Sequence, residues 1–142
     1  MFIFTNYLHV ISKKYVTFSG RATRSEFWYF VLLSNIIFIA YLIASITFWM
    51  LAVNGSSLTI VSSNYISLEL LNYILAIWTV GITIPSIAIT FRRLHDTDKS
   101  GWWTLINLFP VIGPIIYIFL LANPSTEGEN RFGPNPKPAP KL

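Results

Sequence analysis

Three long apolar runs, separated by short polar blocks, set the pattern of this chain. Phe27 to Val53 carries no charged residue. As a helix it covers about 40 Å at 1.5 Å per residue. That exceeds the ~30 Å hydrocarbon core of a bilayer, so tilt or interfacial overhang is expected. Ile66 to Phe91 is the second run, with Glu69 near its start and Pro85 near its end. The proline removes a backbone bond and predicts a kink between Gly81 and Pro85. Trp102 to Ala122 is the third. Pro110, Gly113 and Pro114 at its centre make a poor continuous helix, so this run is either a broken span or a re-entrant hairpin.

The segments between and around the runs have their own patterns. In Met1 to Val16, Phe4, Tyr7, Leu8, Ile11 and Tyr15 share one helical face, and Asn6, His9 and Lys13 the opposite one. This predicts an amphipathic helix that either lies in the headgroup layer or packs on the protein's own spans. Thr17 to Glu26 is a polar elbow with Gly20 as its turn residue. Thr23 or Ser25 caps the next helix, and Thr23 with Glu26 has capping-box spacing. Asn54 to Tyr65 is uncharged and reads as a connecting loop. Its Asn54-Gly55-Ser56 matches a glycosylation acceptor pattern but lies too near the membrane to be a good one. From Asn123 the chain turns to Pro, Gly, Asn and charge, and its end, GPNPKPAPKL, reads as an extended tail.

The pattern therefore predicts an all-α polytopic membrane protein. It has about three transmembrane helices, 27–53, 66–91 and 102–122, the third broken or re-entrant, and an N-terminal interfacial amphipathic helix. Residues 1–26 form that helix and the elbow, 27–122 the transmembrane domain, and 123–142 a polar, Pro-rich tail.

Composition supports this reading. Of 142 residues, 54% are apolar and 11% charged, against about 25% charged in a typical soluble domain. So few polar side chains cannot cover a water-exposed surface, whereas lipid solvates apolar side chains directly. Aromatics, at 16%, suit a protein with two interfaces to anchor, and Trp28, Tyr29, Trp49, Trp102 and Trp103 stand near run ends. There is no cysteine, which removes disulfides and thiolate chemistry. His9 and His95, far apart, make no metal-ligand pattern. No Gly-rich phosphate loop is present and no cofactor is expected. No cleavable signal peptide is apparent, so the first span would act as an uncleaved signal-anchor.

The formal charge is +4, but its placement says more. Lys13, Lys14, Arg21 and Arg24 precede the first run, and Arg92, Arg93 and Lys99 lie between the second and third. These charges punctuate apolar runs and do not form the continuous basic face of a nucleic-acid binder. The 54–65 segment carries none. The positive-inside rule thus places the N-terminus and the 92–101 loop in the cytoplasm. The tail lies outside if the third run crosses and inside if it turns back at Pro110–Pro114.

The candidate binding residues are Arg21, Arg24 and Glu26 in the elbow, Arg92, Arg93, His95 and Asp96 in the 92–101 block, and Glu129 and Arg131 in the tail. The elbow charges serve topology and capping, or contact anionic headgroups, at about 1 kcal/mol per basic residue. Arg92 and Asp96, four apart, can pair on a helix. Arg92 and Arg93 suit a phosphate or headgroup. His95 projects away from Asp96, so the two make no ready acid/base dyad, and no partner nucleophile is identifiable. Glu69 is either interfacial or a proton-linked site. Gly128 to Pro134 is a tight turn, or docks on the 92–101 block through Arg131 or Glu129. No catalytic or metal-binding residue is identified.

Three strings, FSGRATRSEFW (Phe18–Trp28), RRLHDTDKSGWW (Arg92–Trp103) and GENRFGPNP (Gly128–Pro136), occur in this order between apolar spans. Together they resemble the DUF805 family of small bacterial inner-membrane proteins over nearly the whole chain. The resemblance implies a bacterial origin and an inner-membrane location, but no reaction. The family often has Tyr where this chain has Phe132, so no hydroxyl is available there. The first functional expectation is an envelope-associated accessory protein contacting lipids or membrane partners through its basic cytoplasmic blocks. The second is an oligomeric transporter or channel-like component, with Glu69 and the broken run lining a path. The third is a membrane-embedded enzyme acting on headgroups through His95 and Asp96. Expected partners are membrane lipids and a membrane protein or second copy, not nucleic acid.

Overall fold

The computed structural model describes residues 2–54 and 58–136, and these are helical or irregular apart from one isolated Asn130–Gly133 bridge. The order is α1 (Phe2–Lys13), α2 (Arg24–Asn54), α3 (Leu58–Asp96), a 3-10 helix (Gly101–Leu108) and α4 (Ile112–Ala122). Two compact units form, Met1–Val31 with Ile84–Leu142, and Leu32–Thr83.

Among the described residues, two helices are long and apolar enough to cross a membrane, over Arg24–Leu51 and Glu69–Asp96. Only 6% and 17% of their most apolar windows are buried by the protein itself. A soluble core helix of that hydropathy would be covered, so lipid is the solvent these surfaces fit. The expected 54–65 loop is much shorter than the sequence pattern suggested, because α3 already begins at Leu58. No glycine or proline follows Gly55 before Gly81, so nothing interrupts the helix there. Gly55–Ser57, and with them most of the glycosylation pattern, lie outside the described residues. α3 runs on through Pro85.

Within the Leu32–Thr83 unit, several polar side chains bond one another or the adjacent backbone, though the buried Ser34 hydroxyl meets no partner among the described residues. The Tyr41 hydroxyl donates to Asn72 Oδ1 at 2.5 Å, joining α2 to α3. Ser45, Thr47 and Thr83 donate to Leu42, Ile43 and Thr79 carbonyls one turn back. Such back-bonding removes hydroxyl donors from contact with lipid.

In the other unit, α1 packs through the Tyr7, Ile11 and Tyr15 side of the expected stripe, joined by Val10. Tyr7 and Val10 are buried, and the Tyr7 ring stacks on Phe30 at 5.3 Å. Phe4 and Leu8 stay exposed. One edge of the helix thus docks on the protein and the other faces outward. Gly20 turns the elbow at φ +83°, a conformation open to glycine. Thr23 caps α2, its Oγ1 accepting from Glu26 N at 3.1 Å.

The third apolar run is a hairpin. The eight-residue 3-10 helix and the eleven-residue α4 are each about 16 Å long. Neither limb reaches across a ~30 Å core, and the chain returns to the end of α3 that it left. Eight residues is long for a 3-10 helix. The limbs meet where Gly113 lies under Ile106, since a Cβ there would fall 2.0 Å from the Ile106 carbonyl oxygen. The tip closes as a γ-turn at Val111, φ 68°, ψ −59°, with Ile112 N donating to Pro110 O at 2.8 Å. Phe109 N donates to Ile106 O, Gly113 N donates to Phe109 O, and Pro110 and Pro114 have no N–H. The tip thereby leaves few donors to be satisfied, as an apolar environment requires. A positive φ on a β-branched residue is strained. Val111→Gly is expected to raise stability by about 1 kcal/mol, read as a higher midpoint of thermal unfolding in detergent. An unchanged or lower midpoint would refute the strain.

Candidate functional site

The largest fully buried side chains include two arginines and an aspartate, Arg92, Arg93 and Asp96, beside Ile89, Leu94 and Val10. Such burial requires partners, and the local fold supplies most of them. α3 ends in a Schellman motif, with Lys99 N on Leu94 O and Asp98 N on His95 O, both at 3.0 Å. Asp98 takes the left-handed position, φ 57°, which aspartate tolerates better than most residues. This cap ends the helix just past Asp96 and turns the chain toward the hairpin.

Asp96 is the centre. Its Oδ1 accepts from Arg21 Nε at 3.0 Å. Its Oδ2 accepts from Arg93 Nη1 at 2.5 Å and from the Ser125 hydroxyl. The expected Arg92–Asp96 pair does not form. Asp96 pairs with Arg93, three residues back, and with Arg21, while Arg92 Nη1 reaches Glu26 Oε1 at 2.8 Å. An i,i+4 pair needs both side chains on the helix surface. Here Glu26 of α2 takes Arg92, and Arg21 of the elbow joins Arg93 on Asp96.

The other donors of Arg21 and Arg93 bind main-chain carbonyls. Arg21 Nη1 reaches Gly128 O at 2.8 Å and Gly133 O at 3.2 Å, and Nη2 reaches Thr126 O at 2.7 Å. Arg93 Nε reaches Leu121 O at 2.8 Å and Nη2 reaches Asn123 O, at the C-terminal end of α4. Those carbonyls carry the negative end of the helix dipole, where a cation is favourable. One arginine thus holds the tail and the other the returning hairpin limb. The main chain adds Ala22 N to Arg92 O at 2.9 Å and Thr126 N to Asp96 O at 3.0 Å.

All three polar blocks therefore meet at the end of α3. Of the candidate residues, Arg21, Glu26, Arg92, Arg93 and Asp96 form the ion-paired centre. His95 is half-buried, with Nδ1 3.2 Å from Gly20 O and its ring stacked on Phe132 at 3.8 Å. Arg24 and Glu129 are exposed. Arg131 docks on the 92–101 block, but on Asp98: Nε to Oδ1 at 3.2 Å and Nη2 to Asp98 O at 2.8 Å. Both side chains of this pair are exposed, at 60% and 48%, so its worth is below about 1 kcal/mol and falls with salt. Asp98→Lys and Arg131→Glu are each expected to loosen the tail slightly. The double variant should recover, as measured by proteolysis of the tail at low salt. Equal cleavage of the single and double variants would refute the pairing.

Several contributors were not legible beforehand. Asn130 Nδ2 bonds both His95 O and Thr126 Oγ1 at 2.9 Å, and its Oδ1 accepts from Phe132 N. Phe132 is a stacking platform for His95, with Arg131 4.8 Å from its ring centroid, a role that needs no hydroxyl. Lys14 reaches Glu26 at 3.1 Å. The one available signal was the density of Gly, Asn and Thr in the tail, which marks turns but not their target.

The family model described as a protein of unknown function, DUF805, matches residues 15–134. Inner membrane protein YhaH of Escherichia coli K12 is 40% identical over 135 residues, covering 94% of this chain and 98% of the relative. Inner membrane protein YhaI of the same strain is 34% identical over 131 residues, covering 92% and 94%. No solved structure matches the chain. The matched region takes in the elbow, both long helices, the hairpin and the docked tail, and the chain therefore belongs to the DUF805 family and is an inner-membrane protein.

Proposed function

We propose that this protein is a non-enzymatic accessory component of the inner membrane that works by contact with lipid and membrane partners from the cytoplasmic side. The observation that carries this reading is the hairpin pinned to the polar cluster. Its returning end is tied to Arg93 through Leu121 O and, just beyond it, to Asp96 O through Thr126 N, while Trp102, Trp103, Leu105, Leu108, Phe109 and Ile112 stay exposed. A surface so apolar fits lipid, and ~16 Å limbs fit one leaflet of a ~30 Å core. Ser100, Trp102, Trp103, Leu105, Ile106, Leu108 and Phe109 line an open, mostly apolar groove of about 630 Å³, a lining that suits an acyl chain. The lysines and arginines before α2 and at the end of α3 favour the cytoplasmic side for this face. The enzymatic reading is less favoured, because both Asp96 oxygens already accept from Arg21, Arg93 and Ser125.

The absence of native cysteine makes the test direct. Single cysteines at Asp98 and Glu127 should label with an impermeant reagent from the cytoplasmic side only, and one at Val111 from neither side. A photoreactive residue at Leu105 should yield phospholipid adducts. Labelling of position 127 from the periplasm, or no lipid adduct at 105, would overturn the reading.

A further inference from the structure

Arg92 differs from its two buried neighbours in how its donors are used. Arg21 and Arg93 each reach Asp96 and main-chain carbonyls from all three guanidinium nitrogens. Arg92 donates from Nη1 to Glu26. Its Nε and Nη2 are buried and meet no acceptor among the described residues. These two nitrogens lie on the same edge of the guanidinium. Their N–H bonds point side by side, the fork that fits two oxygens of a phosphate or carboxylate.

The charge around this fork is also unbalanced. Glu26 Oε1 receives both Arg92 Nη1 at 2.8 Å and Lys14 Nζ at 3.1 Å, so one carboxylate serves two cations. In the linked cluster Lys14, Arg21, Arg92 and Arg93 face Glu26 and Asp96, an excess of two positive charges. For Arg21 and Arg93 a ring of carbonyls offsets the excess. Arg92 has no such ring. A water molecule would satisfy its N–H groups but add no counter-charge to the Glu26 carboxylate that Arg92 shares with Lys14, and an under-compensated buried cation is costly.

We propose that the Arg92 fork holds a phosphate, bound side-on through Nε and Nη2, with Lys14 as the second cation. Lys14, just past α1 and about a third exposed, is joined to Arg92 through the Glu26 oxygen that both reach. The phosphate comes from a lipid headgroup or from a free anion. This assignment rests on the reading of contact through the basic blocks, and gives that contact a ligand chemistry. It is independent of the hairpin groove, which meets acyl chains.

The test uses the full chain in an uncharged maltoside detergent and reads thermal unfolding. Three probes are added in turn: inorganic phosphate at constant ionic strength, a short-chain phosphatidylglycerol, and the same diacylglycerol without its phosphate. Phosphate or phosphatidylglycerol should raise the midpoint and the diacylglycerol should not. Arg92→Lys keeps the charge but removes the fork, and should weaken the response at least tenfold. Lys14→Gln should weaken it several-fold. A response to phosphatidylglycerol alone identifies a lipid headgroup, and a response to inorganic phosphate alone a free anion. No response from the wild-type chain, or an equal response from Arg92→Lys, overturns the assignment. That failure would leave lipid adducts at Leu105 intact, so it is separable from failure of the contact reading.

Discussion

Asp96→Asn is expected to destabilise the unit formed by Met1–Val31 and Ile84–Leu142 by about 3–5 kcal/mol and to release the C-terminal tail. Asparagine keeps one carbonyl oxygen, so shape is nearly conserved. What is lost is the charge between Arg21 and Arg93, both of which stay buried. The new amide N–H₂ also points donors toward groups that are themselves donors, among them the Ser125 hydroxyl. Breaking a buried pair from one side leaves an uncompensated charge, which costs more than the pair contributed. The measurements are thermal unfolding in detergent and tryptic cleavage at Arg131. A midpoint near that of the wild type, with the tail still protected, would show that Asp96 is not the link between the blocks.

Gly113→Ala is expected to open the hairpin. The added Cβ would sit 2.0 Å from Ile106 O and 2.9 Å from Ile106 C. Those atoms are backbone and cannot rotate away, so one limb must shift. Overpacking of this kind costs about 1–3 kcal/mol, here concentrated in a hairpin of only two short limbs. Gly101→Ala is the control. Its Cβ meets the Phe91 ring at 2.5 Å, a side chain and not backbone, so the hairpin limbs need not part and the tip is expected to stay closed. A cysteine at Val111 reports the difference: it should become accessible to a water-soluble reagent in the Gly113→Ala background and stay protected with Gly101→Ala. Equal protection in both would rule out close backbone packing at Gly113.

These two positions show where sequence reasoning reached and where it stopped. Pro110, Gly113 and Pro114 marked the break in the third run, because their backbone limits are local properties. The choice between broken span and hairpin was not local. It depended on Arg93 reaching Leu121 O and on Thr126 reaching Asp96 O, contacts between residues about thirty positions apart. The capping role of Thr23 and the turn at Gly20 were legible for the same local reason. The partner of Arg92 was not: i,i+4 spacing pointed to Asp96, and tertiary packing gave it Glu26, sixty-six residues away.

By itself, then, the sequence determined the medium and the punctuation. Apolar runs with at most one charge are long enough to require lipid, and polar blocks mark where helices begin and end, since hydropathy and backbone limits are carried by each residue wherever it sits. Only the tertiary structure decided what the polar blocks do. Whether an arginine faces headgroups, a carbonyl or a carboxylate depends on what the fold brings within about 3 Å of it. In this fold the end of α3 collects the elbow, the returning hairpin and the tail around Asp96, and leaves one edge of Arg92 without an acceptor among the described residues.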